Sequence, residues 1–113
     1  IKEFTVQTDH PKASGGDETN PTPFDYYFVA LATCTGVTAL NFCQIREIST
    51  EGLKVTLDNV RDPETNMVTD VTLEVTLPEG FPDKYKNAIK KALEQCTVKK
   101  HILNPPTIET IIK

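Results

Sequence analysis

Residues 24–46 carry apolar side chains on nearly every side of a helical wheel. Ala30, Leu31, Ala32, Val37, Ala39 and Leu40 leave no continuous polar face. A helix that is apolar all round must be enclosed. In a chain of 113 residues one sheet cannot cover every side of it, so a second subunit is expected to supply the rest. Residues 26–45 hold no formal charge and are long enough to span a bilayer. Thr33, Thr35, Thr38, Asn41, Gln44 and several small residues instead fit a helix enclosed by protein, so no membrane is expected.

Period-two patterns flank this helix. Ile1, Phe4 and Val6 predict a short strand over residues 1–8. Leu53, Val55 and Leu57, and then Val71, Leu73, Val75 and Leu77, alternate with polar residues and predict strands over 53–61 and 67–77. The sequence Asp62-Pro63-Glu64-Thr65-Asn66 supplies the turn, giving a hairpin with one buried face. Pro82 and Asp83 open a second helix over 82–97, with Tyr85, Ile89, Ala92, Leu93 and Cys96 on one stripe. Asn104-Pro105-Pro106 is a break, and residues 107–113 predict a last strand. Residues 9–23 are a loop rich in Pro, Gly, Ser and Asp, closed by Thr22 or Pro23 at the start of the long helix. The elements predict one α+β domain over residues 1–113.

Composition narrows the function. The chain is 38% hydrophobic and 25% charged, as ordinary globular proteins are. Its net charge is −4, with both signs interspersed and no basic block beside exposed aromatics, so nucleic acid is not an expected partner. The six lysines between Lys84 and Lys100 read as a solvated helix face. Three cysteines make no disulfide framework, and no signal peptide is recognisable. A reducing, cytoplasmic compartment is expected.

The cysteines are the candidate chemistry. Cys34 lies within the run ALATCTG of the apolar helix, and Cys96 continues the apolar stripe of the second. Local context leaves packing and thiol chemistry open for both, because free cysteine packs as a small hydrophobe. Cys43 follows Cys34 by nine residues and so lies about half a turn around the axis, which marks it as the structural thiol. His10 and His101 with the cysteines fit no common zinc spacing, and neither metal nor cofactor is expected. His101 follows Cys96 by five residues, a weak sign of a cysteine hydrolase.

Two stretches together resemble the OsmC/Ohr family. One is GGDETNPTPFDYYFVALATCTGVTAL, a Gly-rich loop, a Pro-x-acid step and an Ala-rich helix with a cysteine. The other is LEQCTVKKHILNPPTIETII, a cysteine closing a later helix before an apolar turn and a last strand. The resemblance covers nearly the whole chain from about residue 3. It implies antiparallel sheets wrapped around two central helices in an intertwined homodimer. It also implies thiol-dependent reduction of organic or inorganic hydroperoxides as an oxidative-stress defence. Cys34 would attack the peroxide oxygen as a thiolate and become a sulfenic acid, and Cys96 would condense with it to a disulfide that a dithiol reductant opens.

Two positions depart from the best-studied branches of that family. Those place a glutamate ten residues before the first cysteine, where this chain has Phe24; Asp25 is one residue later and matches a less characterised Pro-x-Glu/Asp branch. Asp25 is therefore a third candidate site residue. They also use an arginine from an N-terminal hairpin, which is expected to precede Ile1; the arginines here are Arg46 and Arg61. With no cation near it, Cys34 is expected to have a raised pKa and to react poorly. A non-enzymatic redox sensor or small-molecule-binding dimer is the alternative, with Tyr26, Tyr27 and Phe28 lining a cleft.

Overall fold

The structure, a computed structural model, describes residues 1–113. Its elements are α1 (Pro23–Ile45), β1 (Lys54–Arg61), β2 (Val68–Thr76), α2 (Lys86–Glu94) and α3 (Thr97–Leu103), with single 3-10 turns at Lys12–Ser14 and Asp83–Tyr85. The chain forms two compact units, Ile1–Ala30 and Leu31–Lys113, and α1 runs from the first into the second.

The first unit is organised by one carboxylate. Asp9 accepts hydrogen bonds from the backbone N–H groups of His10, Asp17 and Thr19 and from the Thr19 hydroxyl, at 2.8–3.2 Å. These bonds, with that of Thr19 foremost, lower the Asp9 pKa to about 2. The loop closes tightly enough that a Cβ at Gly16 would lie 2.0 Å from the His10 carbonyl oxygen, so only glycine fits there. Thr8 and Asp9 both donate to the Pro21 carbonyl.

α1 then starts with a reciprocal cap. The Asp25 amide donates to Thr22 Oγ1 at 3.1 Å, and the Thr22 amide donates to Asp25 Oδ2 at 2.9 Å. Thr22 is the N-cap, Pro23 takes the first turn where its missing N–H costs nothing, and Asp25 closes the box three residues on. Phe24, Tyr27 and Phe28 cluster on this first turn with ring centroids 4.9–5.9 Å apart. The Tyr26 hydroxyl donates to the Gln7 carbonyl.

In the second unit, α1 buries Leu31, Thr35, Ala39, Phe42 and Cys43. Ala39, Phe42 and Cys43 form a core with Phe81 and Ile89, flanked by Ile48, Leu53, Leu77, Tyr85, Ala92 and Leu93. The amphipathic stripe of α2 is thus what α1 packs against, with Lys86, Lys90 and Lys91 outward. The hairpin pairs antiparallel, with Val55 opposite Val75 and Leu57 opposite Leu73 on the half-buried face. Such cross-strand apolar pairs are each worth about 0.2–1 kcal/mol. Asn66, in the left-handed region at φ 58°, turns the chain between the strands.

Three sequence expectations need correction. Residues 1–8 are not a strand: Lys2 has φ 55° and the Phe4 amide turns back to the Ile1 carbonyl. Residues 107–113 are irregular and exposed, with Ile108 at 84% and Ile112 at 92%. Alternation alone does not make a strand without a partner edge, and the sheet here has only β1 and β2. The helix expected over 82–97 is broken: α2 ends at Glu94, and Cys96 adopts φ −51°, ψ 127° before α3 begins. α1 is not fully covered within one chain, as its all-round apolar pattern leads one to expect: Val37 is 55% and Ile45 80% exposed.

Candidate functional site

Cys34 sits midway along α1, half-buried, one residue before the buried Thr35. Thr38 ties the helix there by donating its hydroxyl to the Cys34 carbonyl at 2.9 Å. The break between α2 and α3 faces the Cys34 sulfur. Cys96 is buried at this corner, 1% exposed, and its thiol hydrogen-bonds the Cys34 sulfur. The backbone N–H groups of Val98 and Thr97 also donate to that sulfur.

These donors decide the protonation states. Burial pushes the Cys34 thiol up, but the hydrogen bonds from Cys96, Val98 and Thr97 together bring it below the ordinary thiol value. Cys96 moves the opposite way: burial raises it, and its role as donor to Cys34 raises it further, against a smaller pull from the Lys99 and Val98 amides. Of the two thiols, Cys34 is thus the one that ionises more readily. The Cys34 thiol is therefore shifted down rather than up as expected, and its donors are neutral groups rather than an arginine. Continuous helix through residue 97 would have tied those two amides to carbonyls one turn back; the extended backbone at Cys96 frees them.

Cys43 is fully buried in the core, and burial raises its thiol, only partly offset by the Arg46 charge. Arg46 is occupied at the end of α1: its guanidinium lies 3.5 Å from the Phe42 ring centroid and Nη1 donates to the Phe42 carbonyl. Asp25 is held in the cap at the start of α1, and Tyr26, Tyr27 and Phe28 belong to the same first turns. His101 Nδ1 lies 2.7 Å from the Thr97 carbonyl oxygen. No three His, Cys, Asp or Glu side chains converge in a way that would hold a metal ion.

The two thiols were legible in the sequence, whereas the Thr97 and Val98 amides were not. No glycine or proline marks the corner at Gln95–Cys96, so the usual signs of a helix end are missing.

A cysteine pair so disposed can do two-electron thiol chemistry: a nucleophilic sulfur with a second sulfur in contact. Comparison with known proteins identifies the framework that carries the pair. In fold, the chain is similar to an osmotic stress induced and detoxification response protein from Psychrobacter arcticus 273-4, with TM-score 0.73, 22% identity, and coverage of 84% of this chain and 69% of that one. It is also similar to an organic hydroperoxide resistance protein, OsmC, from Legionella pneumophila, with TM-score 0.56, 21% identity, and coverage of 88% and 74%. No curated protein sequence matches the chain. The family model described as OsmC-like protein matches residues 15–111, which include both cysteines of the site and the whole α+β framework. The chain belongs to the OsmC-like protein family.

Proposed function

We propose that this protein is a thiol-dependent peroxidase that reduces hydroperoxides through Cys34 and Cys96. The observation that carries the reading is the Cys34 sulfur held by three neutral donors, one of them the Cys96 thiol. The Cys34 thiolate attacks the terminal oxygen of ROOH. A sulfur–oxygen bond forms, the O–O bond breaks, and the leaving alkoxide takes a proton to become ROH. Sulfur is oxidised by two electrons to a sulfenic acid. The Cys96 sulfur then attacks Cys34, a disulfide forms, and the sulfenic oxygen departs as water. A small dithiol reduces the disulfide by two successive exchanges and leaves as its own disulfide, restoring both protein thiols.

Cys96 is suited to the second role because burial and its bond to Cys34 make it hold its proton more tightly than Cys34 does. Asp25 is assigned the setting of the α1 start through its bond with Thr22. The Pro23-Phe24-Asp25 sequence supports a place in the Pro-x-Glu/Asp branch of the family rather than in the organic hydroperoxide resistance branch. The surroundings that keep both thiols reduced between turnovers are those of the cytoplasm.

The working form is proposed to be a homodimer. The outward stripe of α1 includes Thr33, Val37, Asn41 and Ile45. α1 has the length and hydropathy of a membrane span. Polar Thr33 and Asn41 among the apolar residues favour a protein cover, and a second copy of a two-stranded, open-edged α+β chain supplies one. Sedimentation at micromolar concentration should give a dimer; a monomer with native helicity would refute it.

The enzyme reading is tested by consumption of cumene hydroperoxide with dithiothreitol as reductant. Turnover should require Cys34 and Cys96. A folded protein that consumes no peroxide would leave the redox-sensing or small-molecule-binding reading, for which exposed Phe24 and Tyr27, packed with half-buried Phe28, offer one apolar surface.

A further inference from the structure

An ion pair spans the corner that carries Cys96. Glu94, the last residue of α2, bonds through Oε2 to Lys99 Nζ in the first turn of α3. Gln95, Cys96, Thr97 and Val98 all lie between the two charges in sequence. Besides the Thr97 and Val98 amides that face Cys34, the backbone of the corner is held by single bonds: Gln95 N–H to the Ala92 carbonyl at 3.0 Å, Cys96 N–H to Leu93 at 3.3 Å, and Lys100 N–H to Cys96 at 2.9 Å. No glycine or proline stiffens or shapes it. The side chains of Glu94 and Lys99 thus join the end of α2 directly to α3 across the Cys96 bend. Their partial exposure, 56% and 29% of the side chains, leaves them free to break and reform without disturbing the core.

We propose that Glu94 and Lys99 are positioning residues, an ionic clamp that holds the Cys96 corner against Cys34. The proposal rests on the reading of Cys34 and Cys96 as the reacting pair. The clamp acts on neither sulfur directly. It narrows the range of corner geometries, so the Cys96 sulfur spends more time within reach of Cys34. Disulfide formation is the step that gains, because the effective concentration of one thiol at the other depends on how well the corner is held. Lys90 also attracts the Glu94 carboxylate, but from within α2, so that contact does not cross the corner.

The test uses the full-length protein equilibrated with mixtures of oxidised and reduced dithiothreitol. Two protein thiols are oxidised to one disulfide as one oxidised dithiothreitol is reduced. Glu94→Gln should shift this equilibrium about two- to fivefold toward the free thiols, the range an exposed ion pair can support. The charge swap Glu94→Lys with Lys99→Glu should restore it, and Lys90→Gln should leave it unchanged. High salt should shift the wild-type protein toward the Glu94→Gln value and leave that variant where it is. The urea midpoint, which reports the fold, should move little in each variant. A wild-type equilibrium in Glu94→Gln, or a swap that does not restore it, would overturn the clamp and leave the peroxidase reading standing. Disulfide shifts as predicted in a protein that consumes no hydroperoxide would do the reverse.

Discussion

Replacing Cys96 by alanine removes one of the three donors to the Cys34 sulfur and leaves the Val98 and Thr97 amides. The size of the effect follows from the type of bond. Hydrogen bonds to a charged acceptor are worth about 1.5–3 kcal/mol, and a thiol is a weak donor, so about 1.5 kcal/mol is the appropriate figure. That energy stabilises only the thiolate, so its loss lowers the thiolate fraction about tenfold at any pH below the Cys34 pKa. The reaction rate falls less, because a more basic thiolate is a better nucleophile, with roughly the half power of basicity. Alkylation of Cys34 by iodoacetamide should therefore slow about threefold at neutral pH and quicken about threefold on the alkaline plateau, with the midpoint between them moved upward. Cys96→Ser keeps a hydroxyl donor and should show a smaller change. Peptide mapping by mass spectrometry separates Cys34 from Cys43. A folded Cys96→Ala protein whose Cys34 follows the wild-type profile at every pH would mean that Cys96 does not govern the thiolate.

Other consequences lie outside the reacting pair. Cys43→Ser places a hydroxyl in an apolar core and should cost about 1–3 kcal/mol in urea unfolding, with no change in Cys34 alkylation. Gly16→Ala should destabilise by about 1–3 kcal/mol or displace the loop, seen in urea unfolding and in faster proteolysis near residue 16, since its Cβ meets the His10 carbonyl. Asp9 is held at about 2, below its unfolded value of 3.8, so its stabilising effect is complete above about pH 4 and is lost as pH falls through 2. Asp9→Asn should thus be destabilised relative to wild type at pH 6, with the gap closing toward pH 2; a gap constant with pH would refute the assigned role of the carboxylate.

The elements whose sequence pattern and local chemistry agree were readable in advance. α1 has an N-cap, a first-turn proline and apolar residues throughout, and it appears within one residue of its expected ends. The β1–β2 hairpin has strict alternation and a turn of Asp, Pro and Asn, and it too appears as expected. The terminal segments were misread because alternation in Ile1–Val6 and around Ile108 describes a segment able to pair, whereas pairing needs an edge that the sequence does not display. The corner at Cys96 was hidden for a different reason. Good helix formers precede it at Leu93, Glu94 and Gln95 and resume at Lys99, and only the tertiary placement of Cys96 beside Cys34 goes with the bend. The low Cys34 pKa depends entirely on that bend, so a search for charged side chains could not find it.

The most direct measurement is peptide mapping of the reduced protein after exposure to cumene hydroperoxide. A disulfide joining Cys34 to Cys96 should form with Cys43 still a free thiol, and the Cys96→Ser variant should accumulate a sulfenic acid on Cys34. A Cys34 that stays a free thiol while the protein remains folded would contradict the peroxidase assignment.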